Sequence, residues 1–205
     1  RYRKERFTGS YFLEVTLPVN LKFRSNFGID FGPSYQQSFF GTMSSDRQGG
    51  FPRAENSGED NLMFTWENLL YWNRTIDKHV VGITLLQSVQ QDRTETHEIA
   101  VQNLASSSQL WYNVGSAQSI SGVSSSFIKW QMASFMGRFN YTLNDRYLFT
   151  LTGRFDGSSR LAPGHKWVLF PSAAFAWRIT EENFMQNIPL LNNLKLRIGY
   201  GMTGN

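Results

Sequence analysis

Cysteine is absent, which removes disulfides and thiolate metal sites and leaves the compartment open. Histidine is scarce: His79, His97 and His165 are the only three, too far apart for a metal-ligand spacing. No apolar run approaches the ~20 residues of a membrane helix, although the chain is 40% hydrophobic and 15% aromatic. An excess of one charge sign is also lacking. The 20 basic and 16 acidic residues leave a net +4 with no basic run, which speaks against a nucleic-acid partner. Behind Arg1-Tyr2-Arg3-Lys4-Glu5-Arg6 no apolar segment follows, so the start does not read as a signal peptide. Serine and aspartate are common but form no nucleophile elbow or patterned triad. Asp92, Glu95 and Glu98 share one polar stretch that reads as solvated rather than as a hydrolase pair. Nothing in the residues points to an enzyme, a cofactor or a metal.

What the chain does have is alternation. Tyr147, Phe149, Leu151, Gly153 and Phe155 fall on one side of an extended segment, and Leu148, Thr150, Thr152, Arg154 and Asp156 on the other. A period of two is a strand. Trp167, Leu169, Pro171, Ala173, Phe175, Trp177 and Ile179 repeat the pattern, as do Leu194, Leu196, Ile198, Tyr200 and Met202 against Lys195, Arg197, Gly199, Gly201 and Thr203. The chain therefore reads as all-β, one face greasy and the other bearing cations, hydroxyls and glycines.

Taken in order, the pattern predicts an antiparallel meander of about eight strands. A first strand through Tyr11, Leu13, Val15 and Leu17 turns at Pro18-Val19-Asn20 into a second through Leu21, Phe23, Phe27 and Phe31. Residues 32–61 read as a long polar loop. Strands over 62–76 and 79–91 follow, joined at Asp77-Lys78. A second long loop spans 93–129, with a helical turn conceivable at 99–104. Strands at 130–143 and 147–156 meet at Asn144-Asp145, and a shorter loop covers 157–166. After the seventh strand Thr180 is placed to cap a brief helix carrying Glu181 and Glu182 in its first turn, with Pro189 ending it before the eighth strand. Short turns thus alternate with long connections, the layout of an outer-membrane barrel. Trp66, Trp72, Tyr141, Tyr147, Trp167 and Trp177 lie near strand ends, where interfacial aromatics anchor a barrel. A soluble β-sandwich would place the same greasy residues in a core shared by two sheets.

Three runs carry a family likeness: Asp156-Gly157-Ser158-Ser159-Arg160; then Phe170-Pro171-Ser172 with Trp177-Arg178-Ile179 and Glu181-Glu182-Asn183-Phe184-Met185; then Asn193-Leu194-Lys195-Leu196-Arg197 closing on Tyr200-Gly201-Met202-Thr203-Gly204-Asn205. In this order they resemble the barrel of SusC/RagA-type TonB-dependent outer-membrane transporters, densely over the last third of the chain and more loosely before it. The resemblance implies one sector of a transmembrane barrel of about 22 strands, in the outer membrane of a Gram-negative bacterium. It implies import of oligosaccharides or peptides, with a SusD-like surface lipoprotein as lid and TonB acting through a plug that these residues do not include. Under it, both chain ends fall at the long-loop rim, as in a piece of a larger barrel. The greasy face would meet outer-membrane lipid. The wet face carries the substrate or lumen candidates Arg138, Arg154, Asp156, Arg160, Arg178, Lys195 and Arg197, which serve equally well as braces between strands. The alternative is a self-contained eight-stranded barrel or sandwich acting as a surface adhesin or glycan-binding module.

Overall fold

The computed structural model describes residues 1–185 and 191–204. Its strands are β1 (Tyr2–Lys4), β2 (Phe7–Leu17), β3 (Leu21–Phe40), β4 (Arg53–Ile76), β5 (His79–Leu104), β6 (Ala117–Leu143), β7 (Tyr147–Ser158), β8 (Trp167–Arg178) and β9 (Lys195–Gly201). They form one antiparallel meander in which β3 to β9 pair in chain order, and β1 and β2 both pair with β3. The count is nine because Tyr2–Lys4, ahead of the first expected strand, forms a short strand of its own, set off from β2 by Glu5-Arg6. Tyr2–Lys4 lies opposite 34–36 of β3. Among the described strands β9 pairs with β8 alone. Among the described strands no pairing of β9 with β1 or β2 closes the sheet.

The turns follow from backbone preference. Asn144 and Asp145 both take left-handed φ (52° and 55°), and the Arg146 N–H closes on the Leu143 carbonyl at 3.0 Å. This is the tight hairpin geometry that Asn and Asp tolerate. The β2–β3 turn is carried by Val19 and Asn20 at φ 59° and 62° rather than by Pro18. A β-branched residue is unfavourable there.

The two long connections are much shorter than the sequence suggests. Most of 32–61 is strand, β3 running on to Phe40 and β4 beginning at Arg53. Likewise β5 continues to Leu104, so 99–104 is strand and not helix, and β6 begins at Ala117. Long connections remain at 41–52 and 105–116, so the alternation of short and long connections stands. After β8 there is no α-helix among the described residues. Two 3-10 turns, Ile179–Glu181 and Asn183–Met185, take its place, and no side chain caps the first. The expected stop at Pro189 lies outside the described residues.

The chain divides into two compact units, Arg1–Gly9 with Gly28–Phe64 and Gln91–Trp130, and Ser10–Phe27 with Thr65–Gln90 and Gln131–Asn205. The first unit has a small dry core of Ala54, Val101 and Leu104, against which Phe39, Ile99, Trp111, Val114 and Ala117 pack. In the second, the apolar residues face outward. Leu151 is 54% exposed, Leu169 56% and Ile198 63%.

Candidate functional site

Strand register assembles the second unit's two faces. Tyr141, Phe149 and Phe175 lie opposite one another in turn, and so do Phe139, Leu151, Ala173 and Tyr200. Their rings touch: Phe149–Phe175 centroids are 4.9 Å apart and Phe155–Trp167 4.8 Å. Trp167 also lies over Gly157, where an added Cβ would fall 2.6 Å from the indole, so this glycine is the platform for the ring. Beside the second row, Gly137, Gly153 and Pro171 stand in register and floor an apolar trough of about 570 Å³ walled by Leu85, Phe139 and Leu151. Such a surface offers nothing to a polar ligand; hydrocarbon fits it.

The opposite face carries the sequence-predicted residues. Arg154 donates from Nε to both carboxylate oxygens of Asp156 (2.8 and 2.9 Å) and from a terminal nitrogen to the fully buried Ser134 hydroxyl (3.3 Å), linking β7 to β6. Arg138 reaches Thr152 across the same strand pair at 3.3 Å. Arg160 lies apart from them in sequence, in the turn after β7, where its backbone N–H meets the Ser158 hydroxyl. Arg178 is in register with Lys195, and Arg197 lies opposite Ala176. These three cations share one corner, and none makes an ion pair among the described residues. Farther along the same face Glu14 takes Lys22 at 2.9 Å and Arg24 at 3.7 Å, while Arg24 also donates to Asn26 at 2.8 Å.

Two arrangements were not visible in the sequence. Glu182 accepts from Tyr147 (2.6 Å), Trp177 (3.1 Å) and Arg146 (3.0 Å), tying the turn after β8 to the hairpin before β7. Those donors hold its carboxyl below the usual carboxylate range, the Tyr147 hydroxyl contributing most. It acts as a knot rather than as a helix-dipole partner. In the first unit, a polar recess of about 350 Å³ is lined by Lys4, Gln36, Glu59, Thr96, Glu98 and Ser124 among others. Glu98, expected in a solvated loop, lies on β5 instead. The signal available was the spacing of Glu59 with Asn61 and of Thr94 with Thr96 and Glu98, hidden because the intervening residues are polar as well. Among the described residues no cluster of His, Asp or Glu is arranged to hold a metal ion.

No family model matches the chain. It is 32% identical over 98% of its length to TonB-dependent receptor P26 of Formosa agariphila, of which it covers 21%. Over 73 residues, 36% of the chain and 7% of the relative, it is 52% identical to TonB-dependent receptor SusC of Bacteroides thetaiotaomicron. The chain belongs to the SusC/RagA-type TonB-dependent receptors. Among solved structures, the RagAB peptide transporter superposes on all of it with a TM-score of 0.91 at 17% identity, 23% of that chain being covered. The RagAB peptide importer in its closed-closed state gives 0.89 at 19% identity and also covers 23% of that chain. At that identity the likeness establishes the fold, the RagA barrel wall. The chain spans about a fifth of the length of the receptor it matches nearly throughout.

Proposed function

We propose that this chain forms part of the barrel wall of an outer-membrane importer in a Gram-negative bacterium, taking up oligosaccharides or peptides with energy delivered through TonB and a plug. The observation that carries the reading is the second unit's pair of faces. One is continuous, ring-lined and exposed, suited to acyl chains; the other bears Arg138, Arg154, Asp156, Arg178, Lys195 and Arg197, suited to a watery lumen. Arg154 and Asp156 act as braces in this account. The three cations Arg178, Lys195 and Arg197 face the lumen and meet an anionic group of the plug or the cargo. The short connections lie at the periplasmic rim and the long ones outside, where a SusD-like surface lipoprotein lids the barrel.

Disruption of the gene is expected to remove growth on one oligosaccharide or peptide source, and loss of TonB to give the same defect. Recovery of the protein in the soluble fraction, with growth unchanged on both classes of source, overturns the proposal.

A further inference from the structure

The polar recess of about 350 Å³ lies wholly within the first unit. Ala54 on β4 and Val101 on β5 point into that unit's dry core. Ser57 and Glu59 stand an odd number of positions from Ala54, and Thr96 and Glu98 an odd number from Val101. Successive side chains of a strand alternate in direction, so these four share the face away from the core. Both strands that carry them have a neighbour on each side. The recess is therefore built into the middle of the sheet, with Tyr2 and Lys4 of β1 at its margin.

Its polar side chains are left idle by the protein. Among the described residues Lys4, Glu59 and Glu98 make no ion pair, although Arg3 and Glu5 close by pair at 3.0 Å and Arg93 and Glu95 at 3.4 Å. Of all the side chains lining the recess only Ser57 makes a hydrogen bond among the described residues, to the Gln36 carbonyl at a long 3.5 Å. Arg154 and Asp156 of the second unit, which brace neighbouring strands, are the opposite case. The volume falls at the small end of ligand sites, which run from roughly 300 to 1,000 Å³.

We propose that the recess holds one residue of a neutral oligosaccharide, which makes that class the cargo. The inference deepens the importer reading above and rests on it. Carboxylates accept strong hydrogen bonds from the hydroxyls of a sugar, and Glu59 and Glu98 are free to do so, with Ser34, Thr96 and Ser124 as short donors and acceptors between and beside them. The half-exposed Tyr2 ring offers an apolar plane to the C–H side of a pyranose. Two carboxylates against one ammonium repel an anionic sugar. A peptide is served poorly: Tyr2 is the one apolar surface for its side chains, and the backbone groups of β4 and β5 are engaged in the ladder, leaving no edge to receive its main chain.

The test is titration calorimetry on the whole receptor in detergent, with neutral oligosaccharides cut from starch, inulin and mannan, acidic ones cut from pectin and alginate, and casein peptides. A neutral oligosaccharide should bind and the acidic ones should not. Its affinity should fall at least tenfold in Glu98→Ala and in Ser57→Leu, which fills the recess. Glu95→Gln, on the other face of β5, should change it less than twofold, and Glu59→Lys should admit an acidic oligosaccharide. Neutral binding that Glu98→Ala and Ser57→Leu leave unchanged overturns the inference while the importer reading stands. So does binding of acidic oligosaccharides or of peptides in place of neutral ones. If no member of the three sets binds, the inference falls, and growth after gene disruption judges the importer reading separately.

Discussion

In the first unit Ala54, Val101 and Leu104 turn inward to a small dry cluster, and the charged residues around them pair on the surface, as Arg6 does with Asp30 and Arg53 with Glu55. In the second, Phe149, Leu151, Phe155 and Leu169 turn outward and the charged residues occupy the other side of the sheet. The same antiparallel ladder serves both; what differs is the solvent each was shaped for. A unit with a buried apolar cluster draws part of its stability in water. One with its apolar atoms outside is finished only against hydrocarbon, since burying apolar surface is worth roughly 25 cal/mol per Å² wherever the burial occurs.

The largest expected effect breaks this contrast directly. Leu151→Arg should destabilise the protein in lipid vesicles by about 2–4 kcal/mol, the cost of a cation on a barrel's lipid face. Ile120→Arg, at a more exposed site in the first unit, should shift stability by less than about 0.5 kcal/mol. Equal effects in urea titrations of the two variants would erase the distinction. Next comes Leu104→Ala, which should cost about 2–3 kcal/mol by opening a cavity in the first unit's core. Hydrogen exchange should then show the loss in strands around Val101 and not around Phe149.

A smaller effect concerns the Glu182 knot. Its folded carboxyl titrates below the ordinary value of 4.5, so its contribution is complete above that pH and is lost as the pH falls through the lower folded value. Trp177 fluorescence should report loosening only on acidification below pH 4.5, and Glu182→Gln should abolish that pH dependence. The least expected effect is a gain: Val19→Gly, relieving a β-branched residue at φ 59°, should raise the urea midpoint by an amount equivalent to about 1 kcal/mol.

How much of this was legible depended on the contrast between faces. Where Phe149 and Leu151 alternate with Thr150 and Thr152, period two marks the strand, and β7, β8 and β9 fall close to where the sequence puts them. Where both faces are polar, as from Ser57 to Asn61 or Ser119 to Ser126, alternation leaves no trace in hydropathy, and the outer parts of β3 to β6 read as loops. The polar recess was lost for the same reason. The family likeness extended no help there, being dense only from Asp156 onward. Glu182 was misjudged because the helix whose first turn it was to occupy does not form among the described residues, and two of its donors, Arg146 and Tyr147, come from a segment that only the folded sheet brings near. The pairing of Arg154 with Asp156 is local enough to be suspected from the sequence, but the buried Ser134 that completes it lies on another strand.

The absence of cysteine makes one measurement direct. Single spin-labelled cysteines at Phe149, Leu151 and Leu169, and at Thr150, Thr152 and Ser172, can be compared in lipid vesicles for collision with oxygen, which concentrates in acyl chains, and with a water-soluble nickel complex. The account predicts that accessibility switches at every residue, oxygen reaching the first set and nickel the second. Labels at Phe149, Leu151 and Leu169 that nickel reaches as readily as those at Thr150 and Thr152, or that neither agent reaches, would contradict it.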